Sequence, residues 1–368
     1  MKKVELITLQ QVPNYGSVLQ AYATQKTIEK LGYECEIIKY VPRRVTKIGM
    51  LESIKRKNEK FEKSLLARTA ARIIIFPSYI LRFKMFRQFR KKYLNETKKT
   101  YRNYDDLLRD VPLADIYCTG SDQVWNSGWN GEIDKAMFLG FVPGNRPKIA
   151  YAASFGKKEL EEDEKQITRE MLKQYLAISV RENTGVDILR SLGLDGKNVL
   201  DPTLLLSGDE WREMASKRFK NKKKYVLVYN LNRNNKIDKY AQKLAKKSGL
   251  EVKYVSYQLH EKYKKGKVYC DIPVEDFLSL IDNATCVVTD SFHATAFSIN
   301  LNTDFRIVLP GKYSTRLRSI LEHLELEDRI VDKGIKMEKI NFDVVNSKLN
   351  EMRAESVEWL KDALGGCK

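Results

Sequence analysis

Short runs of β-branched and aromatic residues alternate along this chain with longer stretches whose apolar positions recur every three or four residues. That alternation predicts repeated strand–helix–strand units, which build parallel sheets covered by helices on both faces, so the expected fold class is α/β. In the first half the pattern predicts strands over residues 4–9, 35–41, 114–119, 148–154 and 177–181. Between the first two lies a helical pattern with Val18, Leu19, Tyr22, Ile28 and Leu31 at its apolar positions, Ser17 as cap and Gly32 as stop. The second half predicts strands over 225–230, 252–257, 286–289 and 305–309, interleaved with helices over 237–248, 274–283, 292–299 and 315–324. A last amphipathic pattern over 344–364 reads as a closing helix that packs across both halves. The polar stretch over 207–224 marks the boundary between a domain over 1–206 and one over 207–368.

A length of 368 residues suits two domains, and 43% apolar content with 9 Pro and 19 Gly excludes a collagen-like or wholly disordered chain. The net charge of +18 is local: residues 43–102 hold 19 Lys/Arg against 4 Asp/Glu, which leaves +3 for all the rest. This basic insertion interleaves cations with Ile, Phe, Leu, Met and Tyr over 65–94. A helix there suits anionic lipid headgroups, and its charge alone would also attract a nucleic acid. The plainer reading is a solvated basic face on a helix packed against its own domain. The longest apolar stretch, 73–81, is well short of the ~20 residues of a spanning helix and contains Pro77. The opening MKKVELITL reads as a first strand and not as a signal peptide. Cysteines at 35, 118, 270, 286 and 367 and histidines at 260, 293 and 323 form no CxxC pair or ligand spacing. Neither zinc nor a disulfide framework is expected, and a cytoplasmic setting is.

Candidate chemistry gathers where strands end. Asp290, Ser291, Phe292, His293 and Thr295 span the turn from a strand into a helix, where ligands bind in open α/β sheets and a helix N-terminus attracts anions. His293 in that first turn can donate to a phosphate or carboxylate or pass a proton. The competing reading makes Ser291 an N-cap and His293 a satisfied loop histidine. Gly120, Ser121, Asp122 and Gln123 follow another strand, with donors and acceptors dense enough to read hydroxyl groups, as an ordinary Asx turn also would. Asn14, Tyr15, Gly16 and Ser17 close the first strand comparably. Arg181 ends a strand where it can clamp an anion or pair with Glu182 or another neighbour. Arg316 and Arg318 open a later helix, and Asp201-Pro202-Thr203 reads as a turn.

Taken in order, NYGSVLQAYA, GSDQVWN, YAASFG, SVREN, LDPTLLL and TDSFHATAFSI resemble the polysaccharide pyruvyl transferase family over roughly residues 14–329. The resemblance implies a glycosyltransferase-B-like architecture, two Rossmann-like domains facing a cleft. It implies transfer of the pyruvyl group of phosphoenolpyruvate onto a surface-polysaccharide sugar, or its lipid-linked precursor, as a cyclic ketal. It gives His293 the role of binding and activating phosphoenolpyruvate and Arg181 that of meeting the donor's negative charge. The loops over 14–17 and 120–126 would hold the acceptor on the N-terminal side. Some members carry arginine where this chain has Ser291, and Gly is common where Ala294 stands. Arg181, Arg316 or Arg318 would then have to meet the carboxylate. No metal or organic cofactor and no nucleic acid partner is expected; contact with the inner membrane face through 65–94 is. The alternatives are a nucleotide-sugar glycosyltransferase on the same scaffold and a non-catalytic lipid- or nucleic-acid-binding protein.

Overall fold

A computed structural model describes residues 1–53, 64–220, 224–311, 314–331 and 339–367. Part of the basic insertion (54–63) and of the boundary stretch (221–223) therefore lies outside the described residues. Strands β1 (Lys3–Ile7), β2 (Glu34–Ile37), β3 (Ile116–Thr119), β4 (Lys148–Ala153), β5 (Ala177–Val180) and β6 (Lys197–Asn198) form one sheet in the order β2-β1-β3-β4-β5-β6. Strands β7 (Tyr225–Tyr229), β8 (Glu251–Ser256), β9 (Lys267–Cys270), β10 (Cys286–Thr289) and β11 (Phe305–Ile307) form a second, in the order β11-β10-β7-β8-β9. Every pairing in both sheets is parallel. The α/β class expected from the alternation is the one observed. Central strands such as β3 and β7 are buried along their whole length, as sheets covered on both faces require.

The pattern missed β6 and β9. Both are edge strands: β6 is two polar residues, and in β9 only the short run Val268–Cys270 is apolar, next to exposed Lys267 and a lysine-rich stretch. The first helix is also capped differently from expectation. It spans Tyr15–Lys30 with Asn14 as N-cap, the Asn14 Oδ1 accepting the Gly16 amide at 2.8 Å, which frees Ser17 for another partner. The closing helix, Phe342–Gly365, returns from the second sheet to the first. Its Ser356 hydroxyl accepts the Leu200 amide at 3.0 Å, and its Arg353 reaches Leu204 O (2.8 Å) and Asn300 Oδ1 (3.3 Å).

The basic segment folds as helix Leu65–Tyr93, with Pro77 on its solvent side. Its C-terminal part is a brace as well as a solvated face. Ser78, Tyr79, Arg82, Met85, Phe86, Phe89 and Arg90 are buried. The Leu259 amide donates to Ser78 Oγ at 3.1 Å, and Arg82 donates to Tyr257 O while its guanidinium lies 4.3 Å from the Tyr257 ring. Arg90 faces Glu96 at 3.7 Å and Gln10 O at 3.5 Å, so one helix ties the loop after β1 to the second sheet. No helix among the described residues is long and apolar enough to cross a membrane.

Candidate active site between the two sheets

In an open parallel sheet the strand order reverses at one place, and there the loops leaving two neighbouring strands part to open a crevice. In the first sheet the reversal falls between β1 and β3, in the second between β7 and β10. The two crevices face each other. Leu9, Val12, Asn14 and Ser17 after β1, Asp122 and Gln123 after β3, Leu231 and Asn232 after β7, and Asp290 to His293 after β10 line one cleft of about 280 Å³. Trp129, Pro310, Arg316 and Leu317 complete it.

His293 sits in the first turn of helix Phe292–Asn300. Ser291 caps that helix, its hydroxyl accepting the Ala294 amide at 3.3 Å and its carbonyl accepting the Thr295 amide (3.1 Å) and hydroxyl (3.0 Å). The capping reading of Ser291 therefore holds. It leaves the Phe292 and His293 amides, bonded to no described group, as open donors at the positive end of the helix. The His293 Nε2 is buried without a hydrogen-bond partner among the described residues, 3.9 Å from Asp201 Oδ2. Burial pulls the imidazole below its ordinary pKa; Asp201 and Asp122 pull it up, and Arg181 and Arg316 add to the lowering. Burial thus favours the neutral imidazole, and an anion beside it would favour the charged form.

Behind His293 lies a buried ion network, in which Arg181 Nε also comes within 3.9 Å of its neighbour Glu182 Oε2. Arg181 Nη1 donates to Asp201 Oδ2 at 2.6 Å and Nη2 to Asp122 Oδ1 at 2.9 Å, with its side chain wholly buried. Asp122 also accepts the Ser17 hydroxyl at 2.9 Å, and Asp201 accepts Ser121 Oγ (3.1 Å), Thr203 N (3.0 Å) and Thr203 Oγ1 (2.7 Å). Burial pushes the Asp122 carboxyl up, but Arg181, then His293 and Arg316, hold it well below the usual carboxylate range; Asp201 is lowered by Arg181 in the same way. Asp122 reaches this position with a φ of +75°, and β4 bulges opposite it, where Ala152 has a φ of +51°. Two non-glycine residues in the left-handed region beside one cleft are strain that the surrounding bonds must hold.

The arginines divide. Arg181 does not line the cleft; its guanidinium stacks 5.0 Å behind the Phe292 ring. Arg316 does line it, 6.0 Å from the same ring and 3.8 Å from Asp122, and hydrogen-bonds to none of the described residues. Burial, then the nearness of Arg181, lowers its pKa to about 10, so it stays charged at neutral pH. Arg318 is exposed and outside the cleft.

Several sequence candidates position the cleft without lining it. Tyr15 points into the second half, stacked 4.2 Å from Phe277 with its hydroxyl donating to Ile272 O at 2.8 Å. Gly120 packs on Leu6 and Thr8, and Ser121 is buried against Asp201. Thr295 is buried on the helix. Asp290, which does line the cleft, accepts the Leu231 amide (2.8 Å), the Asn232 amide (3.0 Å) and Asn232 Nδ2 (2.9 Å), shaping the loop after β7. Gly16 lies so close to the imidazole that a Cβ there would sit 2.0 Å from His293 Nδ1. Gly16→Ala is expected to cost about 1–3 kcal/mol of stability through overpacking and to displace His293, which urea denaturation would measure. Sequence reasoning missed Trp129 and Asn232, and it left Asp201 as a turn residue. The signal for Asn232 was its place just after the predicted strand 225–230, and that for Asp201 its place in LDPTLLL, one of the stretches that carry the family resemblance.

Among the described residues no three His, Cys, Asp or Glu gather into a group that could hold a metal. No curated protein matches the sequence. Among solved structures, Staphylococcus aureus MnaA, in a co-structure with UDP, is 12% identical with a TM-score of 0.52 over 96% of this chain and 88% of that one. The UDP-GlcNAc 2-epimerase of Methanocaldococcus jannaschii is also 12% identical, with a TM-score of 0.47 over 96% and 93%. At such identity the likeness to S. aureus MnaA speaks for the fold alone, two parallel-sheet units of Rossmann-like, glycosyltransferase-B-like kind facing a cleft. The family model described as polysaccharide pyruvyl transferase matches residues 14–310, most of the chain, and the protein belongs to that family.

Proposed function

We propose that the chain transfers the pyruvyl group of phosphoenolpyruvate onto a sugar of a bacterial surface polysaccharide, or its lipid-linked precursor, as a cyclic ketal. The observation that supports this most is that His293 and Arg316, two cationic or protonatable groups without hydrogen-bond partners among the described residues, face one cleft beside an open helix N-terminus. A small, multiply charged anion is what such an arrangement takes. With Ser291 committed to capping and Arg181 to its two aspartates, Arg316 is the arginine left to meet the donor's carboxylate or phosphate.

The chemistry then assigns work to each side of the cleft. His293, charged once the anion is bound, gives its proton to the methylene carbon, and the enol π electrons form that C–H bond. One sugar hydroxyl adds to the electron-poor C2 and loses its proton; phosphate leaves with the C2–O electrons; a second hydroxyl adds and closes the ketal. Of the two hydroxyl protons, one restores His293 and the other ends on phosphate. The helix amides and Arg316 hold the departing phosphate. Asp122 is too weakly basic to take a hydroxyl proton readily and suits orienting the acceptor, with Asn14, Ser17, Gln123 and the half-exposed Trp129 around it.

Phosphoenolpyruvate is expected to raise the melting temperature of the intact protein, since a ligand of the folded state at a hundredfold excess over its Kd adds about 2.7 kcal/mol. Arg316→Gln should abolish most of that shift. A panel in which UDP-sugars stabilise the protein and phosphoenolpyruvate does not would replace this reading with nucleotide-sugar transfer.

A further inference from the structure

The outer face of helix Leu65–Tyr93 has no part in the cleft, and its composition changes along its length. Leu65, Leu66, Ile73, Ile74, Ile80 and Leu81 are exposed, from 41% for Ile80 to 85% for Leu66. Beyond them the same face carries exposed Lys84, Arg87 and Lys91. Leu66, Ile73, Pro77, Ile80, Lys84 and Lys91 succeed one another at steps of three, four or seven residues, one stripe along a helix about 43 Å long. The 29 residues include no Asp or Glu.

We infer that this face docks the protein onto an anionic lipid bilayer, with the apolar N-terminal part entering the headgroup boundary and the cationic part lying over the phosphates. Three features favour that occupant. A nucleic acid would satisfy the cations and leave the apolar stripe in water, whereas a bilayer surface satisfies both. A second copy would bring together two chains of net charge +18, whose repulsion opposes association. The buried side of the helix is held by Ser78 and Arg82 to the second sheet and by Arg90 to the loop after β1, so the docking face and the cleft form one body. The inference stands apart from the pyruvyl-transfer reading, because vesicle binding is read without turnover.

The test is flotation of the full chain with vesicles of phosphatidylcholine alone and of phosphatidylcholine with phosphatidylglycerol. The protein is expected to float with the anionic vesicles only, less so at high salt. Ile73→Ser with Ile74→Ser and Leu81→Ser should reduce the bound fraction at least tenfold. Lys84→Glu with Arg87→Glu and Lys91→Glu should remove the preference for phosphatidylglycerol. All six positions are exposed, so unchanged melting temperatures establish that the variants fold. Equal flotation of all forms, or none by the natural sequence, overturns the inference. So does a dimer that the serine variants dissociate, or DNA binding lost in the glutamate variants but not in the serine ones.

Discussion

Arg181→Met is expected to lower the folding free energy by about 3–5 kcal/mol, because it leaves Asp122 and Asp201 as buried carboxylates without their cation. The loss comes from stranded charge more than from a missing bond. Adding Asp122→Asn and Asp201→Asn to Arg181→Met should therefore recover much of it. The pH dependence has a definite sign. Both aspartates titrate below their unfolded value of about 3.9, so their contribution is present above that pH and lost as pH falls through the folded values. In Arg181→Met burial is left to raise both carboxyls, so the gap between variant and natural protein should narrow as pH falls through the variant's raised folded values and on toward the lowered values of the natural protein. Urea titrations from pH 3 to 8 measure this; a constant gap, or a triple variant no better than the single one, would show that the network does not act as a charge cluster.

His293→Ala is expected to reduce kcat with phosphoenolpyruvate about 10²–10⁴-fold, the usual worth of a positioned general acid, with little change in folding. Its pH behaviour separates it from a mere structural histidine. In the free protein burial holds the imidazole below its ordinary pKa, so kcat/KM should decline as pH rises through a value under about 6.5. Bound phosphoenolpyruvate favours the imidazolium, which moves the same limb of kcat to higher pH. Alanine should flatten both limbs. Phosphate release measured in the presence of an acceptor gives these profiles, and a variant with unaltered turnover would take His293 out of the chemistry.

Much of the fold was legible because its signals are local. Nine of the eleven strands among the described residues fall in the short β-branched and apolar stretches of the chain, and Ser291 stands at its boundary as the cap. The two missed strands are sheet edges with little local signal, β6 two polar residues and β9 a three-residue apolar run beside exposed Lys267. Site residues were legible in kind. Loops that follow strands and open helices are where ligands bind, and Asp122, Asp290, Ser291 and His293 all lie in such loops. Their individual duties were not, since Ser17 as a partner of Asp122 and Tyr15 as a bolt into the second half depend on what arrives from over a hundred residues away.

The basic segment and the arginines divide the two sources of information most clearly. That residues 65–94 form a cationic, apolar-studded helix is a matter of composition and period, and the chain alone determined it. That Ser78, Arg82 and Arg90 turn inward as a brace while Ile73, Leu81 and Lys84 face out was decided by the two sheets the helix crosses. The chain likewise determined that Arg181 ends a strand and Arg316 opens a helix. Only the folded structure decided that Arg181 is neutralised by Asp122 and Asp201 while Arg316 is left facing the cleft. Ion pairing depends on through-space distance, and in the folded chain Arg181 meets carboxylates 59 and 20 residues away that no local pattern couples to it.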